Sequence, residues 1–429
     1  SNQAGNNGVL FGDLNVRAVK DKNDNIISDG RPSLGFTGNM DTYKPAEGSA
    51  TRSDIAITDP DFKYPSLWKS NIAADYKFGD GWVATVELLY SKDINAIYHD
   101  NIGLYRTEQF VNDGGAGNAR PYYNGYYSDR EGNQKAANHV VMLRNTSKGH
   151  SLYTTFQLQK NFVDGILKGL YLNGSYSFGQ SRGVTDGTSS VATSAWKYRA
   201  ALDGNAEEVG YTAGSFDGRL LLSASYTANW SKYAATSFGL IYQRYRPFRY
   251  SYCYNGDANG DSQFSNDLMY IPANFDEVKD HLLPGDFDSQ EDAWKAMNAF
   301  IEQDPYLSKH RGEYAERNGA VAPFANQLDL SVSHDIKIYQ KNGRSHTLRF
   351  SFNIANFLNL LNRNWGVVQT TVLGNQQYQF LTIPKGQGPS AANNYTLKYT
   401  MAKDLDETFK DNLNDVSRWQ MQFGIKYIF

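Results

Sequence analysis

The chain has 429 residues, a formal net charge of −3 and 14% aromatic residues, led by 30 tyrosines. The near-neutral charge argues against a nucleic-acid-binding surface, which needs clustered Lys and Arg, and the single cysteine, Cys253, excludes an internal disulfide and a Cys-rich zinc site. No apolar run approaches the ~20 residues of a spanning helix, whereas a spanning β-strand needs an apolar residue only at every second position.

Alternation of apolar and polar residues is the recurring pattern along the chain. In the first example, residues 68–78 and 82–90 alternate on either side of a Gly79-Asp80-Gly81 turn, which predicts a β-hairpin. Several such runs reach ten residues, close to the roughly 9–11 of a tilted spanning strand and longer than the usual 5–6. The regions predicted to hold most strands are 68–91, 139–178, 216–245, 326–357 and 396–429.

The connections between these regions differ sharply in length. Short turns at 79–81, 231–233 and 341–344 alternate with long loops at 92–138, 179–215 and 246–325. Soluble domains rarely carry such loops, whereas outer-membrane barrels have short turns at one end and long loops at the other. We therefore expect the long loops to lie together, opposite the turns.

The last long loop contains one predicted helix. Residues 288–291 (Asp-Ser-Gln-Glu) have the spacing of a capping box, and Pro305 follows the end of the periodic segment. Apolar residues share one stripe of this helix at 293, 294, 297, 300 and 301. We expect Trp294 and Phe300 to pack onto the loop or onto a partner.

The C-terminal segment alternates up to Phe429, the last residue given. Such a segment is typical of the strand that closes a barrel, because lipid tolerates no open sheet edge. The predicted fold is an all-β, antiparallel transmembrane β-barrel with aromatic residues near the strand ends. The side chains expected to face lipid are Trp419, Met421, Phe423, Ile425 and Tyr427, and those expected to face the lumen are Gln420, Gln422 and Lys426.

Four segments resemble SusC/RagA-type TonB-dependent transporters of Bacteroidetes. They are residues 61–66, 306–319, 353–366 and 417–429, in the order of that family. The resemblance implies that the chain is the C-terminal part, roughly half, of a 22-strand outer-membrane barrel, and that the plug domain is not present in this chain. It also implies nutrient import of oligosaccharides or peptides, with a SusD-like surface lipoprotein as partner and TonB-ExbB-ExbD acting through the missing N-terminal part.

A candidate cation site lies in the third long loop. Asp257, Asn259 and Asp261 occupy alternate positions, Gln263 could add its carbonyl oxygen, and Asp267 could close the shell. Oxygen ligands at this spacing suit Ca²⁺. The segment departs from the EF-hand pattern, since Ser replaces Gly at position 6 and the last acid is Asp at position 11. A polar turn without metal is the alternative.

Two tyrosine-rich segments are candidate contacts for a substrate or a protein partner, because Tyr offers a flat apolar face with a polar rim. Packing within the loops is the alternative. The candidate residues are Tyr122, Tyr123, Tyr126, Tyr127, Tyr250 and Tyr252.

No catalytic motif is present in the sequence, so we expect no enzymatic activity and no cofactor other than Ca²⁺. The competing interpretation of the β pattern is a secreted, lectin-like β-sandwich that binds carbohydrate. A glycoside hydrolase would need a placed pair of carboxylates, and the sequence indicates none.

Overall fold

The computed structural model describes residues 54–111, 120–127, 139–187, 189–339, 345–373, 377–389, 395–401 and 407–429, with two short strands at Val19–Lys20 and Ile26–Ser28. Nine long antiparallel strands form one sheet, in which each strand lies beside the next in the sequence. They are β1 (Ser66–Phe78), β2 (Trp82–Asn101), β3 (His150–Asn161), β4 (Leu170–Gly183), β5 (Arg219–Ser231), β6 (Ala234–Tyr245), β7 (Ala325–Tyr339), β8 (Ser345–Ala355) and β9 (Gln420–Ile428). The predicted all-β antiparallel architecture is confirmed, and β1 and β9 bound this meander in the part of the chain that the structure describes.

One face of the sheet is apolar across all nine strands. Strand register aligns one row of side chains from β1 to β9, and only Lys160 interrupts its apolar character. The row consists of Phe78, Trp82, Lys160, Leu172, Ala224, Leu240, Leu330, Ile354 and Met421. Neighbouring rows repeat the pattern, and Phe423 at the edge is 67% exposed. A soluble protein rarely leaves so large an apolar surface uncovered.

The opposite face is polar and hydrogen-bonded between strands. Gln157 donates to Asn173 at 2.7 Å, Ser331 donates to Asn353 at 2.7 Å, and Arg349 binds Asp335 through two nitrogens at 2.6 and 2.8 Å. These pairs link β3 to β4 and β7 to β8. The two faces therefore suit two different environments.

All long connections leave the same end of this sheet. They span residues 102–149, 184–218, 246–324 and 356–419, whereas the opposite end carries turns such as 79–81 and 232–233. The antiparallel order requires this arrangement, so the described parts of the predicted loops 92–138 and 246–325 that lie outside the strands share the end opposite those turns. The predicted turn at 341–344 lies outside the described residues. We call the described parts of the four long connections the connection layer.

The connection layer contains more secondary structure than predicted. β2 runs ten residues past the expected boundary at 91, since Ile94, Ala96 and Tyr98 continue its alternation, and region 396–429 contributes only β9 to the meander. Three short strands join the main sheet: Ile55–Thr58, Val140–Thr146 and Gly210–Tyr211. The others pair within the layer: Leu104–Val111, Arg120–Tyr126, Arg249–Tyr252, Tyr270–Ile271, Leu282–Leu283, Glu313–Tyr314, Ala320–Val321, Gln369–Thr371, Gln377–Tyr378, Leu381–Thr382, Leu397–Tyr399 and Phe409–Asp411.

Three described α-helices lie in this layer, where one was expected. They are α1 (Ala192–Lys197), α2 (Gln290–Gln303) and α3 (Phe357–Leu361). The predicted helix is α2, but its N-cap is Ser289, whose hydroxyl accepts the Asp292 N–H at 3.1 Å, so the capping pair lies one residue later than predicted. Among the described residues, no helix combines the length and apolar character needed to cross a membrane.

The main hydrophobic core lies inside the connection layer. Ala293, Met297, Phe300 and Ile301 of α2 are buried there, as the stripe predicted, and Trp294 packs on Phe275. Phe300 contacts the rings of Tyr378, Phe380 and Tyr399 from the last long connection. The long connections therefore form one packed unit rather than separate loops.

Candidate functional site

Successive Asx turns shape the segment 257–267. The side-chain oxygens of Asp257, Asn259 and Asp261 each accept the backbone N–H two residues later, at 3.1, 2.9 and 2.8 Å. Asx turns are a local preference of Asp and Asn, so this part of the loop follows from its own sequence. Repetition at every second residue curls the chain and turns these side chains to its inside.

Three carboxylates meet in this curl. One oxygen from each of Asp257, Asp261 and Asp267 lies within 4.8 Å of the other two. Asp267 also accepts the Ala258 N–H at 2.9 Å, which closes the loop onto its own start. The structure thus brings together the three predicted acidic ligands. Asn259 and Gln263, the other two predicted ligands, are buried in the same loop.

Among the described residues, one cationic side chain is paired with this cluster. Arg120 places its Nη1 3.1 Å from Asp267, and both side chains are almost completely buried. Three carboxylates facing one guanidinium leave an excess of negative charge when all are ionised. Burying unpaired charge is costly, so the cluster favours either protons or a bound cation.

The pKa values of the cluster report the same imbalance. Burial, followed by repulsion from Asp257, raises the pKa of Asp261 to about 7. Burial also raises the pKa of Asp257, and it raises that of Asp267 although Arg120 opposes the shift. Protons and a bound cation both relieve the repulsion among these carboxylates, so the two compete for the same oxygens.

Position 6 of the loop has the backbone that the calcium pattern requires. Ser262 stands where an EF-hand has Gly, yet its φ is +67°, in the left-handed region. Ser262 therefore differs from the EF-hand pattern in residue type, whereas its backbone has the left-handed conformation that a Gly would adopt there. A non-Gly residue in this region carries strain.

The first tyrosine-rich segment packs against this loop and is hydrogen-bonded to it. The Tyr123 N–H donates to the Asn259 carbonyl at 2.7 Å. At Gly260, where φ is +82°, a Cβ atom would lie 2.1 Å from the Tyr123 carbonyl oxygen, so no larger residue fits. The Tyr123 hydroxyl also donates to Asp203 at 2.7 Å. The segment and the acidic loop are therefore packed as one piece.

Most of the tyrosines predicted to contact a ligand or partner are buried. Tyr122, Tyr123 and Tyr126 are buried against the acidic loop or the neighbouring strand, which is the packing within the loops that was the alternative to a ligand contact. Tyr127 remains exposed, with its ring edge-on to Tyr105 at 5.2 Å. The rings fill space where long connections meet, which local sequence could not reveal.

Tyr250 and Tyr252 are likewise fully buried, in the core of the connection layer. The Tyr252 hydroxyl donates to Asp304 at 2.6 Å, and Asp304 also accepts the Thr408 hydroxyl at 2.7 Å. The rings pack on Tyr378, which comes from the last long connection. Their role in this structure is to join distant segments.

Sequence reasoning missed Arg120 as a member of the acidic site. It lies 147 residues before Asp267, so no local spacing could indicate the pair. A comparison of the chain with protein-family models, with curated proteins and with solved structures found no match. The functional assignment therefore depends on the residues and their geometry.

Proposed function

We propose that this chain is part of an outer-membrane, TonB-dependent nutrient importer of the SusC/RagA type, and that its meander belongs to the wall of a transmembrane β-barrel. The observation that carries the proposal is the exposed apolar face that runs across all nine strands. In this arrangement the apolar face contacts lipid and the polar face lines the lumen. Closing the barrel would pair the edges β1 and β9 with further strands.

The position of the connection layer supports the same proposal. Outer-membrane barrels carry their long connections on the outside of the cell, and the long connections here share one end of the sheet. We propose that this layer faces the exterior and binds an oligosaccharide or peptide beneath a SusD-like lipoprotein. TonB-ExbB-ExbD would supply energy through a plug domain.

The alternative, a lectin-like β-sandwich, would require a second sheet over the apolar face. A sandwich buries its apolar face against a second sheet at about 10 Å. Within the described ranges, no second sheet covers the face that includes Phe423 and Trp68, which are 67% and 57% exposed. The apolar face therefore favours the membrane proposal.

Membrane fractionation of cells that produce the whole protein tests the proposal. We expect the protein in the outer-membrane fraction, resistant to extraction by high salt and released by detergent. A periplasmic soluble protein serves as the control. Recovery of the protein in the soluble fraction without detergent would contradict a barrel and favour the lectin-like module.

We also propose that Asp257, Asp261 and Asp267 bind Ca²⁺ or another hard cation, with Asn259 and Gln263 as further oxygen donors. Their convergence and the surplus negative charge support this site. Calorimetric titration of chelator-treated protein with CaCl₂ should show saturable binding that Asp261→Asn weakens at least tenfold. Asp280→Asn, an exposed acid outside the cluster, is the matched control. Equal affinity of the two variants for Ca²⁺ would contradict the proposed cation site.

A further inference from the structure

A second charged cavity lies in the connection layer, and it is lined by arginines. Its volume is about 110 Å³, and Arg199, Arg249 and Arg317 contribute to its wall. Thr185 and Ser251 add hydroxyl groups to the same wall. None of its lining residues belongs to the acidic cluster of Asp257, so the two sites are separate.

Two of these arginines are buried without a carboxylate partner. Arg199 and Arg317 are 5% and 3% exposed, and no Asp or Glu oxygen of the described residues lies within 4.0 Å of either guanidinium. Both donate to backbone carbonyls instead, among them the carbonyl of Val184, which accepts from both. Backbone carbonyls orient a guanidinium but do not neutralise it.

The Arg199 side chain retains an unused donor. Its Nε is buried and has no hydrogen-bond acceptor in the described structure. An unsatisfied buried donor costs about 1–3 kcal/mol, and more when it is charged. Burial and the nearby Arg317 lower the pKa of Arg199 to about 10, so the side chain stays cationic at neutral pH.

The nearby carboxylates each have an ion-pair or hydrogen-bond partner. Asp217 pairs with Arg249, and Glu316 pairs with Arg182. Glu208 accepts the Leu202 N–H at 2.8 Å. Asp186 lines the cavity itself, but its oxygens accept from the Ala213 N–H at 2.8 Å and the Asn318 amide at 3.0 Å. Hydrogen bonds do not cancel the charge of Asp186, but three arginines and this one carboxylate line the cavity, and Asp217 offsets only Arg249, so the lining keeps an excess of positive charge.

We propose that this cavity binds one anionic oxygen group, a carboxylate, sulfate or phosphate, presented by a larger ligand. Guanidinium groups bind such oxyanions through short, charge-assisted hydrogen bonds. A volume of about 110 Å³ is the space of a few water molecules, which suits a single anionic group better than a whole sugar ring. The proposal stands without the transport proposal, because it concerns binding alone.

Calorimetric titration of the purified protein tests this site, in detergent if solubility requires it. The probes are sodium sulfate, phosphate and acetate, with ionic strength held constant by NaCl. We expect saturable binding of at least one probe. Comparing sulfate and phosphate with acetate distinguishes a preference for tetrahedral anions from one for a planar carboxylate.

Arg199→Lys keeps the charge but removes the Nε donor from its place, so it should weaken binding about tenfold or more. The matched control is Arg311→Lys, in the same layer but outside the cavity, whose Nη2 donates to the Asn298 side chain at 2.8 Å. This control should stay within about twofold of the parent. Thr185→Val removes a hydroxyl from the wall and decides the result if Arg199→Lys does not fold.

Three outcomes overturn the proposal. The first is no saturable binding of any of the three anions to the parent protein. The second is equal weakening by Arg199→Lys and Arg311→Lys, which would indicate general surface charge. The third applies if circular dichroism shows that Arg199→Lys does not fold. In that case, anion binding that Thr185→Val leaves unchanged overturns the proposal.

Discussion

Asp261 is the residue on which the chemistry of the acidic loop depends most. It is completely buried, it lies close to two other carboxylates, and its pKa is raised to about 7. Its unfolded-state pKa is near 3.9. Between these two values the folded protein holds a proton that the unfolded chain has lost.

This difference fixes the sign of the pH dependence. Without a cation, Asp261 adds stability below about pH 4, and this contribution is lost as the pH rises to about 7. Calcium needs the ionised form, so its stabilising effect should be small at pH 5 and full above about pH 8. Thermal unfolding with and without CaCl₂ at both pH values measures this effect.

Asp261→Asn is the control for that experiment. Asn cannot ionise, so the calcium-induced shift and most of the pH dependence should both decrease. The neighbouring charges, Asp257, Asp267 and Arg120, stay in place in this variant. An equal calcium-induced shift at pH 5 and pH 8 in the parent protein would contradict the assignment.

At the scale of single elements, β9 gives the sharpest test of the sheet's surroundings. Phe423 lies opposite Phe352 on the apolar face, whereas Gln422 lies opposite Asn353 on the polar face. Phe423→Arg should destabilise the protein by roughly 2–4 kcal/mol if the residue lies near the bilayer midplane. Chemical unfolding in lipid vesicles measures the difference.

Gln422→Arg is the matched control, one residue away and on the other face of the same strand. It should cost much less, because its side chain would face water and polar groups. Similar losses in the two variants would show that the two faces have the same surroundings. That result would remove the membrane interpretation of the sheet.

The elements also show how far sequence alone could lead. Strands β1 to β9 follow from period-two alternation, which depends only on neighbours, and α2 follows from its apolar stripe and N-terminal cap. The two-residue strand Leu282–Leu283 pairs in parallel with Leu397–Lys398, and no local pattern could indicate that partner. The acidic loop was predictable because Asx turns are local, whereas Arg120 and the burial of Tyr250 depend on distant contacts.

At the scale of the whole molecule, the two ends of the sheet should meet different compartments. Tyr127 is exposed in the connection layer, and Lys232 lies in a short turn at the opposite end. We expect a membrane-impermeant thiol reagent to label Tyr127→Cys on intact cells and to leave Lys232→Cys unlabelled. Lysed cells, in which both positions should react, provide the control.

Equal labelling of the two variants on intact cells would contradict the proposed orientation. Background labelling should be low, because the one native cysteine, Cys253, is completely buried. The reverse pattern, with only Lys232→Cys labelled, would place the connection layer inside the cell envelope. It would also remove the proposed role of this layer in capturing nutrients.

Because Cys253 is buried, the rate at which its thiol is modified measures how often the connection layer opens. Its N–H donates to the Tyr378 carbonyl at 3.0 Å, and burial raises its pKa, so a thiol reagent reacts only while the surrounding segments are apart. When reclosing is fast, the modification rate follows the fraction of time spent open. A cation that binds only the closed form, at a hundredfold excess over its dissociation constant, should slow this rate about a hundredfold.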